Sequence, residues 1–391
     1  MKKRVAACVD VLLVDGSPTP EQVETAIHGT DQHKCPEQHV TELSFVPSSR
    51  QATLSAAVNW VTEQALASPR GDTWHWWLCR LRVGGDGDDG DPRQRTLLCL
   101  RFTADTRGWW ALAHHRSRAA LGGLLEPRTD AAARAAAQTG APTTAKPPAA
   151  TAGRFAAWLS QQLGGGAVAG PDACLAALSG LAACDAPPSV GCAPPLRWVP
   201  SSRAADVLGC GDLHELVLTA TGLACHAALL AATGKRYASL SAIVVPHTSR
   251  TRRRVALHNV SPGEMLSGVT AAAAAAGKTQ GSEEDLLLLG YPTSLVEYRT
   301  AEISTAAPGQ PISVGGHRIL RMWTASSSGG GGSPPIEVTA TVQEGWRLAV
   351  TVSSAFKVDG AAADLGGPAL ALSIQRTLAD LVETGLRARG S

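Results

Sequence analysis

Imidazole exchanges a proton near neutrality without help from its surroundings, so the histidines come first among the groups that could do chemistry. The adjacent pair His114-His115 follows Trp109-Trp110-Ala111-Leu112-Ala113 and precedes Arg116-Ser117-Arg118. That setting suits a helix, and the pair reads as two imidazoles on a helix flank. His247 and His258 bracket the basic run Arg250-Thr251-Arg252-Arg253-Arg254. Such a run grips a phosphate or forms a solvated loop, and both readings stay open. His247 ends an apolar strand facing the expected cleft and is a candidate proton acceptor. His214 and His226 share one apolar helix and read as satisfied helix histidines. Trp74, Trp76, Trp77, Trp109 and Trp110 gather in neighbouring segments, as core or as a flat aromatic wall for a polycyclic or lipid substrate. No GxSxG, Gly-rich phosphate loop or kinase motif occurs. The nine cysteines contain no CxxC pair, so neither a zinc site nor a disulfide framework is expected, and no metal or cofactor. Reduced thiols imply a cytoplasmic protein.

These groups need a scaffold, and the patterning supplies one. Residues 18–30 open as a capped helix, with Pro20 near its first position and Glu21 and Glu24 favouring the helix dipole. Leu54, Val58, Val61, Ala65 and Leu66 share a side and predict a helix over 53–67. Residues 74–83 alternate, 84–95 form a Gly/Asp loop and 96–103 are β-rich, which together predict a hairpin. A helix follows from Trp109. Residues 138–152 are linker-like, and the Pro-rich 185–195 marks a second boundary. Beyond it, 212–233 predicts an apolar helix stopped by Gly234, 239–246 a buried strand and 261–276 an Ala-rich helix. Strands are expected within 285–290, 312–323, 336–343 and 347–354, a Ser/Gly loop at 325–335 and a last helix over 364–387. Mixed α/β order in both halves argues for a domain at 1–150, a linker and crossover at 151–195, and a second domain at 196–391, with a cleft between them.

Charge and composition exclude other classes. With 35 basic and 33 acidic residues there is no strong field of either sign, so a nucleic-acid binder is not expected. No run of about 18 uninterrupted apolar residues occurs, so no integral membrane segment is expected. Met1-Lys2-Lys3-Arg4 is basic, but Asp10 interrupts the apolar run behind it, and a cleaved leader is not expected.

Several strings then fall into a known order. Gly71-Asp72-Thr73-Trp74-His75-Trp76-Trp77-Leu78 is followed by Thr96-Leu97-Leu98-Cys99-Leu100-Arg101. Further on come Asp212-Leu213-His214-Glu215-Leu216, Ile243-Val244-Val245-Pro246-His247 and Ile303-Ser304-Thr305-Ala306-Ala307-Pro308-Gly309, then Val314-Gly315-Gly316-His317-Arg318. In order and spacing, over most of 38–385, this resembles the wax ester synthase/diacylglycerol acyltransferases of the condensation-domain and chloramphenicol acetyltransferase superfamily. The resemblance implies an α/β fold of two chloramphenicol-acetyltransferase-like domains, each a mixed sheet plus helices, around a central tunnel.

It also implies a site, and here the sequence departs. The HHxxxDG motif of those acyltransferases aligns with Phe102-Thr103-Ala104-Asp105-Thr106-Arg107-Gly108. Its proton acceptor becomes Thr103, whose hydroxyl has no accessible basic pKa near neutrality. Its Asp becomes Arg107, a charge reversal, and the crossover Asn falls at Ala306. Arg107 either pairs with Asp105 or meets a carboxylate, phosphate or enolate of a ligand. Thr103 and Phe102 would line the tunnel, with Trp76, Trp109, Trp110, Asn259 and Thr305 as further substrate contacts. Three functions follow from this pattern. The first is a repurposed enzyme of bacterial specialised metabolism that cyclises, isomerises or eliminates on a polyketide-like molecule. The second is an O- or N-acyltransferase with a relocated base such as His247. The third is a non-catalytic subunit that binds a carrier protein. The partner expected is a hydrophobic small molecule, borne on CoA or a carrier protein.

Overall fold

The computed structural model describes residues 6–23, 40–44, 54–68, 74–82, 94–104, 168–169, 189–194, 196–197, 213–237, 239–245, 253–258, 294–303, 313–327, 334–343, 347–356 and 360–387. In chain order they form β1 (Ala6–Asp15), β2 (Val40–Ser44), α1 (Leu54–Ala67), β3 (Trp74–Arg82), β4 (Gln94–Ala104), β5 (Val168–Ala169), β6 (Ser189–Cys192) and β7 (Leu196–Arg197). Then come α2 (Leu213–Thr233), β8 (Arg236–Tyr237), β9 (Ser239–Val245), β10 (Arg253–His258), β11 (Ser294–Ile303), β12 (Ser313–Val314), β13 (His317–Ser327), β14 (Ile336–Gln343), β15 (Arg347–Ser354) and α3 (Gly367–Arg387). The expected helices at 261–276 and from Trp109, the strand at 285–290 and the linker at 138–152 lie outside the described residues.

Two mixed sheets dominate. The first runs β12-β13-β1-β4-β3-β2, and the second runs β10-β9-β11-β14-β15-β6 with β7 also paired to β15. The sheets draw strands across the chain: residues 313–327 join the first sheet, and β6, from the segment read as linker, closes one edge of the second. After β11 the chain crosses into the first sheet and returns through β14. The crossing hairpin turns on Gly315 and Gly316, whose φ values of 54° and 83° suit the two-residue turn that matches strand twist.

Each sheet has one helix-covered face built from the alternation of its strands. Val9, Val11 and Leu13 of β1, Leu97 and Cys99 of β4, and Trp77 and Cys79 of β3 pack on Ala57, Val58, Val61 and Ala65 of α1. On the second sheet, Ala242, Val244, Val296, Tyr298, Val338, Ala340, Val350 and Val352 meet α2 and α3. The Gly234 N–H donates to the Leu230 carbonyl at 2.8 Å and ends α2 at the expected glycine. Leu216–Thr233 is long and apolar enough to cross a membrane by length and composition, yet most of it is buried in this core.

The start of the expected first helix is a reciprocal cap. The Thr19 N–H donates to Gln22 Oε1 at 2.8 Å, the Gln22 N–H to Thr19 Oγ1 at 3.2 Å, and Pro20 takes the first helical position.

Three expectations change. Residues 6–15, read only as an interrupted apolar run, form β1, a central strand of the first sheet; Asp10 is tolerated because the Thr324 hydroxyl donates to it at 2.7 Å. The loop at 325–335 starts later, because β13 keeps pairing β1 to the Ser327–Ala7 register. Arg253 and Arg254, part of the basic run read as a phosphate grip or a solvated loop, belong to strand β10.

Helix α1 also bridges the sheets. Asn59 Oδ1 and Glu63 Oε1, one turn apart, accept the Cys192 and Val190 N–H groups of edge strand β6 at 2.7 and 3.1 Å. Burial pushes the Glu63 carboxyl above its ordinary range, and the Val190 N–H pulls it partly back. The folded state therefore holds that proton more tightly than the unfolded chain does. Its contribution to stability is full below the usual glutamate range and is lost as pH rises through the elevated value. Glu63→Gln keeps the acceptor and removes the buried charge. It should raise the urea midpoint at pH 7.5 and shift it less at pH 4.5; equal shifts at the two values would refute this.

Candidate functional site

The second sheet's other face is polar yet buried. Alternation along β11, β14 and β15 brings Glu297, Arg299, Glu337, Thr339, Thr341, Gln343, Thr351 and Ser353 to it, all buried. Strand β13 of the first sheet packs onto β14 and β15. Trp323 Nε1 donates to the Ala193 carbonyl at 3.3 Å, and Ser326 enters the polar network.

Arg299 is the hub of that network and is fully buried. Its Nη1 donates to Ser326 Oγ in the first sheet and to Glu337 Oε2 in the second. Its Nη2 donates to Glu297 Oε1 at 2.8 Å. Ser326 Oγ donates to Glu337 Oε2 at 3.2 Å, and Thr339 Oγ1 lies 3.3 Å from Ser326 Oγ. Burial opposes the guanidinium charge, but Glu337 and Glu297 more than offset it, so the Arg299 pKa is raised and the cation persists. Two residues along β13 from Ser326, Thr324 holds Asp10.

Cys8 sits in register between Ser326 of β13 and Phe102 of β4. Burial first, and Asp10 second, hold its thiol well above the ordinary range, with Arg299 offsetting part. Burial likewise pushes the Cys192 and Cys225 thiols up to about 12. None of these three is an activated nucleophile. The five described cysteines, Cys8, Cys79, Cys99, Cys192 and Cys225, are buried and free of disulfides.

No protein-family profile and no curated protein matches the chain. Along its length it is similar to the solved wax ester synthase/diacylglycerol acyltransferase from Marinobacter aquaeolei VT8, at 11% identity over 98% of this chain and 96% of that one, with a TM-score of 0.51. The chain has that acyltransferase fold. More distant are the first condensation domain of the CDA synthetase, at 15% identity over 98% and 91% of the two chains and TM-score 0.44, and the condensation domain of the Monacolin K polyketide synthase MokA, at 10%, 97%, 92% and 0.43. At these identities the likeness is one of fold.

Within the acyltransferase fold, the residues singled out from sequence are placed as follows. Thr103 is in β4, opposite Ala7 and 6% exposed. Phe102 is one position earlier, opposite Cys8 and Trp74. Thr103 belongs to the set with Leu97, Cys99 and Arg101 on the α1 side, where Arg101 Nη2 donates to the Ser68 carbonyl at 3.2 Å just past the helix end. Trp76 is in β3, in register with Val40 and Leu100. Asp105, Arg107, Trp109, Trp110, His114, His115, His247, Asn259 and Thr305 lie outside the described residues. His214 and His226 have partners: Nδ1 of the first lies 3.2 Å from the Tyr298 hydroxyl, and Nε2 of the second 3.1 Å from the Leu257 carbonyl.

The network that joins the sheets was missed in the sequence. Its signals were the charges at alternate positions in Val296-Glu297-Tyr298-Arg299, in a stretch not read as a strand, and Asp10 alone in an apolar run. Alternation by itself reads as a solvent-facing edge, and only the second sheet turns it into an interior.

Proposed function

We propose that this acyltransferase-fold protein is an enzyme of specialised metabolism that cyclises, isomerises or eliminates on a hydrophobic, polyketide-like acyl thioester, without transferring the acyl group. One observation carries the reading: Thr103, at the position the resemblance gives to the proton acceptor, is a buried hydroxyl of β4. A hydroxyl there cannot take the proton of an attacking alcohol or amine. The acid–base groups described near the meeting of the sheets are instead carboxylates and a guanidinium. Such groups suit proton removal and charge stabilisation within one substrate. In this reading Arg107 steadies developing negative charge, and Phe102, Trp76, Trp109, Trp110, Asp105, Asn259 and Thr305 shape the substrate's surroundings. The thioester arrives on CoA or on a carrier protein in the cytoplasm.

The test is incubation of the purified chain with a panel of 3-hydroxy- and 3-oxoacyl pantetheine and CoA thioesters, with alcohols and amines present. The expected products keep the thioester and have unchanged mass or the mass less one water. Release of free thiol with an acylated alcohol or amine would establish the transferase instead, and would direct attention to His247 as its base.

A further inference from the structure

We infer that α1 and β6 form a latch between the two sheets, one that opens on its α1 side while the sheets turn about β13. The inference stands apart from the reaction proposed above. Strand β6 belongs to the second sheet by its main chain. It pairs antiparallel with β15, from Ser189 opposite Ser354 to Cys192 opposite Thr351, and the Ala193 N–H donates to the Val350 carbonyl at 3.0 Å. Amides alternate in direction along a strand, so those of Gly191 and Ala193 point to β15 and those of Val190 and Cys192 point away from it. The two that point away are the ones α1 takes. The Cys192 N–H donates to Asn59 Oδ1 at 2.7 Å and the Val190 N–H to Glu63 Oε1 at 3.1 Å. The spacings match, because four residues of helix rise about 6 Å and two residues of strand advance about 6.6–6.8 Å. Two side chains one turn apart therefore cap two successive outward amides of an edge strand, where a further strand would otherwise pair.

The two sides of β6 are unequal. Toward β15 the bonds run main chain to main chain, and Gly191 lies so close to the Gly367 backbone that no Cβ fits between them. Toward α1 both acceptors are half-buried side chains, which can turn to water. Burial holds the Glu63 carboxyl above its ordinary range, so its charged form regains hydration when the contact opens. Among the described residues, β6 gives the α1 core Val190 and Cys192, both small, so parting exposes little apolar area. The other joint is of a different kind. Strand β13 packs on β14 and β15, Arg299 Nη1 donates to Ser326 Oγ, and Trp323 Nε1 donates to the Ala193 carbonyl at 3.3 Å. The chain tethers that joint at both ends by running from β11 through β13 to β14, so β13 serves as the axis.

Hydrogen–deuterium exchange of the full chain, resolved to single amides by NMR, tests the latch with Asn59→Ala and Glu63→Ala; alanine keeps α1 helical. The informative amide in each variant is the one whose acceptor is intact. If the joint opens as a body, removing either acceptor frees both amides. Val190 should then exchange about three- to tenfold faster in Asn59→Ala, and Cys192 likewise in Glu63→Ala, with Gly191 and Ala193 unchanged. Glu63→Gln keeps an acceptor and should not accelerate Cys192. The inference is overturned if the amide with the intact acceptor keeps its wild-type rate, because each side chain then moves by itself. It is equally overturned if Gly191 and Ala193 accelerate by the same factor, because β6 then leaves the second sheet as well, or if Glu63→Gln accelerates Cys192 as much as Glu63→Ala does.

Discussion

Arg299→Ala should destabilise the fold by about 3–5 kcal/mol in chemical denaturation, the loss typical when one partner of a buried ion pair is deleted. The substitution strands Glu297 and Glu337 beside each other at 1% and 8% exposure, and it removes the Nη1 link to Ser326 that ties the second sheet to β13. A deficit below about 1 kcal/mol would mean that other groups neutralise the pair. The combined variant Arg299→Met, Glu297→Leu, Glu337→Leu should recover much of the loss, because a buried ion cluster seldom outperforms apolar side chains of similar size. If stability returns, the charges of the cluster are not what holds the fold together.

The second large effect concerns two glycines where α3 meets the edge of the second sheet. A Cβ on Gly191 would lie 2.2 Å from the Gly367 carbonyl oxygen and 2.4 Å from Pro368 Cα, and one on Gly367 would lie 2.3 Å from the Ser189 carbonyl oxygen. Every atom in the way is backbone, so neither site can yield by turning a side chain. Gly191→Ala and Gly367→Ala should each cost about 1–3 kcal/mol or more, the range for overpacking a closed interior. Each methyl forces the same movement of α3 away from β6, so the double variant should cost less than the sum of the two. Additive losses would show that the contact relaxes independently on its two sides. The movement also bears on the link between sheets, because β6 receives Asn59 and Glu63 from α1 on its Val190 and Cys192 N–H groups.

Local rules made much of this fold legible. The 3.6-residue spacing in 53–67 and 212–233 and the alternation in 74–83, 336–343 and 347–354 are properties of a few turns or residues, and the structure forms helices or strands at all five. The Gly234 stop is likewise set within a few residues, by the positive φ that glycine adopts at little cost. That a threonine stands at position 103, where the resemblance implies an imidazole, was readable without coordinates.

The candidate site was far less legible, because burial of a polar side chain depends on what arrives from elsewhere in the chain. Asp10, Thr324, Ser326, Arg299 and Glu337 span more than three hundred positions, and no short-range pattern relates them. Strand β11 went unread although Glu297 and Arg299 alternate with Val296 and Tyr298, and the burial of both charges depends on the sheet that closes over them. The sequence by itself determined the three long helices, most of the long strands and the Gly234 stop. The crossing of 313–327 into the first sheet was decided only in three dimensions, and with it the buried meeting of Arg299, Glu337 and Ser326. Desolvation and charge pairing act through space, and they acquire a value only after two sheets have closed over the same side chains.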